Sequence, residues 1–81
     1  MAKTRKYELY LLNDTVNSFD HVVEALHNHI PLCNRLRASQ MAVTADAAGI
    51  CPIYSGGEKE VYLMYSLLRK QGLHVDAIVK K

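Results

Sequence analysis

The sequence predicts an α+β fold in the order β-α-α-β-α-β, a three-stranded antiparallel sheet with three helices packed on one face. Three observations predict it. Residues 7–12 and 74–79 alternate side chains as strands with one buried face do. Between them lie stretches whose apolar residues recur at helical spacing. Asn13-Asp14, Pro31, Gly49, Gly56-Gly57 and Gly72 then punctuate the chain into six elements.

Residues 7–12, YELYLL, set Tyr7, Leu9 and Leu11 against Glu8, Tyr10 and Leu12. Asn13 and Asp14 stop this strand, because short polar side chains bond nearby backbone and favour turns. A helix follows over about residues 18–28. Asn17 is its expected N-cap, with Ser18 as the substitute, and Asp20 sets a carboxylate beside the free N–H groups of the first turn. Phe19, Val22, Val23, Leu26 and Ile30 form its apolar face. Pro31 ends it, since a residue before proline is pushed out of the helical region.

The second helix covers about residues 33–47, with Leu36, Val43 and Ala47 on one stripe and Met41, Ala45 and Ala48 on an adjoining one. Gly49 suits its C-terminal cap. Residues 49–54, GICPIY, read as a strand in which Pro52 demands an edge position or a bulge, having no N–H for the ladder. Ser55-Gly56-Gly57 is expected to turn tightly, with Ser55 near the next helix cap. That helix, about residues 58–71, buries Val61, Met64, Tyr65 and Leu68 and leaves Lys59, Arg69 and Lys70 wet. Gly72 follows it, and HVDAIV closes the sheet. With helices on one face only, the other face is left for Glu8, Tyr10, His74 and Asp76.

A length of 81 residues makes one domain, residues 7–81, behind a short flexible lead at residues 1–6. A hydrophobic fraction of 49% argues against disorder, and a net charge of +2 is too small to announce a nucleic-acid protein. The basic residues Lys3, Arg5, Lys6, Lys80 and Lys81 gather at the ends, where solvation explains them. The N-terminus has no signal-peptide pattern and no stretch is apolar enough for a membrane span, so a cytoplasmic protein without membrane partners is the expectation. Cys33 and Cys51 form no CxxC and read as small buried thiols.

Catalysis and metal binding find little footing. His21, His27, His29 and His74 do not fall at ligand spacing, and HExxH is absent. Neither cysteine has a histidine at a recognisable spacing, GxSxG is absent, and Gly56-Gly57 lacks the Lys-Ser/Thr of a phosphate loop. The expectation is a non-enzyme with no metal and no cofactor. What remains is a binding surface. Asn13 and Asp14 either only close a turn or offer an amide oxygen and a carboxylate to a cationic amine. Met41 and Thr44 either belong to ordinary core packing or line a pocket with Phe19 and Val22, apolar at its base and polar at its rim.

These residues resemble the ClpS family. LYLLNDTVNSFDHVVEAL is similar to the family's strand, Asn-Asp turn and FVVxVL helix. RASQM resembles its RAT-x-x-M, GICPIY its xICGVF strand, and VYLMYSLLRKQGLHVDAIVKK its last helix and strand. The resemblance spans residues 7–81 and implies the same β-α-α-β-α-β fold. It implies an adaptor that binds a substrate's bulky N-terminal residue, the N-degron, and docks on the N-terminal domain of a Clp-class AAA+ unfoldase for proteolysis. By this resemblance Asn13 and Asp14 hold the α-amino group, whose three donors want acceptors of this kind. Phe19, Val22, Met41, Thr44 and Val75 then match the side-chain pocket, with Phe19 at the position of a gating Met.

The chain departs from the family at several of these positions. Thr15 stands where a second acidic residue is usual, Ala45 where a His on the second helix also bonds the amine, and Thr44 where an apolar residue is common. Asp46 and His21 are the residues that would compensate. The turn before the third helix is shortened to Ser55-Gly56-Gly57, and a Lys that docks the unfoldase aligns with Glu60, beside Lys59. Two other readings follow. One is a ClpS-fold interaction module that no longer recognises N-terminal residues. The other, from the basic ends, is a small RNA- or ribosome-associated domain.

Overall fold

A computed structural model describes residues 5–80. Residues 1–4 of the expected lead, with Lys3, lie outside the described residues, as does Lys81. Lys6 of that lead already belongs to the first strand. The order is β1 (Lys6–Leu12), α1 (Phe19–His29), α2 (Arg35–Ala48), β2 (Ile50–Gly56), α3 (Glu58–Lys70) and β3 (Val75–Lys80). The sheet is antiparallel in the order β2-β1-β3, so the first strand is central.

Leu9 and Leu11 of β1 are buried against the helices, with Cys51 and Ile53 of β2 and Val75 of β3. α1 contributes Val22, Val23 and Leu26, and α3 contributes Val61, Met64 and Leu68. Tyr65, expected among the buried residues of α3, is only partly covered. β2 is an edge strand and carries a bulge: Leu9 pairs with Tyr54 but Tyr10 with Pro52, which leaves Ile53 without a partner opposite. The extra residue accommodates the proline's missing N–H and turns both Ile53 and Tyr54 toward the core.

Several local expectations need correction. The N-cap of α1 is Ser18, whose Oγ accepts from the His21 N–H at 3.1 Å, because Asn17 is engaged elsewhere. The buried face of α2 is Ala38, Met41, Ala42 and Ala45. Leu36 and Val43, expected on an apolar stripe, are exposed. Small side chains let α2 approach its neighbours closely, so its inner face carries alanine rather than leucine. Ser55 and Gly56 do not turn; they extend β2, and Gly57 caps α3 with its N–H donating to Glu60 Oε1 at 3.3 Å. Ile30 before Pro31 is extended, and Gly49 and Gly72 both take φ of 86°, the left-handed conformation that closes helices at little cost in glycine.

Candidate functional site

The loop between β1 and α1 is held from three sides. The Leu12 N–H donates to the His74 carbonyl at 2.9 Å, and the Asn13 N–H to the Gly49 carbonyl at 3.0 Å. These bonds fix the loop between the start of β3 and the end of α2. His21 Nε2 lies 2.6 Å from the Gln71 carbonyl, which only accepts, so that nitrogen carries the proton. The fastening therefore reaches the turn between α3 and β3.

Within the loop Asp14 folds back on its own backbone. Its Oδ1 accepts from the N–H groups of Val16 at 2.8 Å and Asn17 at 2.9 Å. Its Oδ2 accepts from Asn17 Nδ2 at 2.6 Å, and the same Nδ2 donates to the Gly72 carbonyl at 2.8 Å. Partial burial pushes the Asp14 carboxyl up. The hydrogen bonds from Asn17 and Val16 outweigh it, with His74 adding a smaller attraction, and the group is held below its ordinary value. Asp14 is therefore an anion at neutral pH. A carboxylate offers about four acceptor sites, so three bonds leave roughly one for a ligand.

Beside this loop a cavity of about 210 Å³ opens between β1, α1 and α2. Leu11, Leu12, Phe19, Val22, Ala42 and Ala45 give it apolar walls, and Asp14, Asn17 and Asp46 supply the polar atoms. Its size suits one side chain, being below the 300–1,000 Å³ typical of sites for larger molecules. Phe19, the first residue of α1, lines it and is 49% exposed. Ala42, Ala45 and Asp46 share one face of α2 at spacings of three and four, and the two alanines leave the space open.

Among the residues expected to form the pocket, the cavity brings together Asp14, Phe19 and Val22. Its lining does not include Asn13, Met41, Thr44 or Val75. Met41 and Val75 are buried in the core. Thr44 is exposed and its hydroxyl donates to the Gln40 carbonyl at 2.9 Å within α2. Asn13 is exposed, beside the end of α2. Leu11, Leu12, Asn17 and Ala42 were not expected at the site, although the small residues at 38, 42 and 45 were a readable sign of close helix approach. Of the two compensating candidates Asp46 lines the cavity, and His21 braces the loop through Gln71. Lys59 and Glu60 lie exposed in the first turn of α3, outside the lining.

Cys33 and Cys51 are buried and unpaired; burial pushes both thiols up, partly offset by Arg37. Among the described residues no group of three or more His, Cys, Asp or Glu is placed to hold a metal ion, and no helix is long and apolar enough to cross a membrane.

Comparison with known proteins gives a consistent answer. The family model of the ATP-dependent Clp protease adaptor protein ClpS matches residues 2–76. An ATP-dependent Clp protease adapter protein ClpS from Synechocystis sp. is 27% identical over 74 residues, covering 91% of this chain and 76% of the relative. The structure of Agrobacterium tumefaciens ClpS2 bound to L-phenylalaninamide superposes with a TM-score of 0.81 over 96% of this chain and 100% of that one, at 15% identity, a likeness of fold.

Proposed function

This chain belongs to the ClpS family of ATP-dependent Clp protease adaptors, and from that premise we propose that it binds the free N-terminal residue of substrate proteins in the cavity beside Asp14. The bulky first side chain enters between Phe19, Val22, Ala42 and Ala45, and the α-ammonium meets Asp14. The observation that carries this reading is an ionised carboxylate, with an acceptor site to spare, at the edge of a one-side-chain apolar cavity. An ammonium has donors only and a carboxylate acceptors only, so the pair is selective for a free amine. The Agrobacterium relative, bound to an amino-acid amide with such an amine, is in keeping with it.

The same adaptor would carry its substrate to the N-terminal domain of a Clp-class AAA+ unfoldase, with no chemistry of its own. Exposed Lys59 at the start of α3 is the residue we assign to that contact, with Glu60 beside it capping the helix.

Titration calorimetry with short peptides beginning with Leu, Phe, Tyr, Trp or Ala tests the binding. The reading expects heat for the bulky first residues and none for Ala. Equal or absent binding across the set contradicts it and favours an interaction module without N-terminal recognition, a reading that Asn13's place outside the cavity also suits. Co-elution with an unfoldase N-terminal domain, weakened by Lys59→Glu, tests delivery.

A further inference from the structure

The sheet has two free edges, at β2 and at β3, and they are guarded differently. At β2 the bulge breaks the regular row of main-chain groups, and Pro52 brings no N–H to it. β3 has neither device. VDAIVK holds no proline or glycine and pairs with β1 residue by residue from Val75 to Lys80. Near its end it exposes apolar side chains on both faces, Ile78 at 46% and Val79 at 39%. A regular edge of this kind is a template for another strand. The bond from the Leu12 N–H to the His74 carbonyl fixes which groups face outward. Successive residues alternate, so Asp76 and Ile78 face β1, and Val75, Ala77 and Val79 turn their N–H and carbonyl groups to the open side. In the middle of that row the Ala77 N–H is already taken: it donates to Asp76 Oδ1 at 2.9 Å.

We propose that Asp76 is a gate on the β3 edge, holding off a second copy of this chain that would otherwise add its own β3 there. Antiparallel pairing centred on Ala77 sets Ala77 against Ala77, and Val75 against Val79, of the second copy. This register uses all the outward groups from Val75 to Val79, and registers shifted by two residues match fewer of them. The strand therefore complements itself. The Asp76 carboxylate opposes the pairing twice. It occupies the central N–H that the second copy's carbonyl needs, and the register sets it opposite Ile78 of that copy, an apolar neighbour on the same face. Asp76 is outside the cavity lining, so the inference stands apart from the reading of that cavity.

Sedimentation velocity from micromolar to millimolar concentration compares wild type with Asp76→Thr, and amide hydrogen exchange reports where any contact lies. Asp76 is exposed and threonine suits a strand, so the substitution does not threaten folding. Asp76→Thr should dimerise about tenfold or more tightly than wild type, since each copy frees one main-chain hydrogen bond for its partner. The Val75, Ala77 and Val79 amides of Asp76→Thr should gain protection as concentration rises. Val79→Pro in the same background removes one outward N–H and leaves the ladder with β1 in place, so it should return the chain towards the monomer. Equal association of wild type and Asp76→Thr, whether both are monomers or both dimers, overturns the gate. A dimer whose protection lies on another face, or one that Val79→Pro leaves intact, overturns the β3 edge as its seat.

Discussion

Asn17 Nδ2 sits 2.6 Å from Asp14 Oδ2 and 2.8 Å from the Gly72 carbonyl, so one amide both orients the site's carboxylate and ties its loop to the far end of the chain. Asn17→Ala removes both bonds and leaves the Gly72 carbonyl without that donor. It should cost about 1–3 kcal/mol of stability in urea denaturation, and it should weaken binding of amine-bearing peptides more than a swap at an exposed site such as Gln40. Unchanged stability would mean that the loop does not depend on this bridge.

The Asp14 carboxyl also makes stability depend on pH. Its folded pKa lies below the ordinary value of 3.8, so its stabilisation is present above that value and is lost as pH falls through the lowered folded value. Wild type should therefore be more stable than Asp14→Asn by a constant margin from pH 5 to 7, and the margin should shrink in more acidic buffer. A margin that grew on acidification would reverse the sign and contradict the bonding described for Asp14.

Ala45 borders the cavity with only a methyl group. Ala45→Leu should fill that space, abolish binding of peptides with a bulky first residue, and cost no more than about 1–3 kcal/mol. Calorimetry against the folded variant checks it. Retained binding would place the side-chain pocket elsewhere, for instance at Met41, Thr44 and Val75.

In the core, Leu26 of α1 is fully buried. Leu26→Ala should cost about 2–5 kcal/mol, a large fraction of what so small a domain can hold. Its thermal midpoint should fall far below that of Leu36→Ala, whose side chain is exposed on α2.

Much of the fold was legible because local chemistry acted alone. Pro31 excludes the helix before it, glycine takes the left-handed turn at 49 and 72, and Pro52 calls for an edge position or a bulge and has both. Readings failed where a distant part of the chain intervened. Asn17 had the right chemistry for a cap, but Gly72, far along the sequence, claims its side chain and Ser18 caps instead. Leu36 and Val43 share a helical stripe, yet α2 turns its alanines inward, and hydrophobicity by residue does not show that preference. The same rotation sets Ala42, Ala45 and Asp46 on the cavity and leaves Thr44 outside it. Asp14, Phe19 and Val22 were legible as one group because a single strand-turn-helix segment carries them.

The most direct measurement is fluorescence anisotropy with a labelled peptide beginning with Phe, free and N-acetylated, against wild type and Asp14→Ala. Binding by wild type that disappears on acetylation, and falls sharply for the free peptide in Asp14→Ala, is the predicted result. Equal binding of the free and acetylated peptides, or a free-amine preference that Asp14→Ala leaves intact, would contradict the amine site at Asp14.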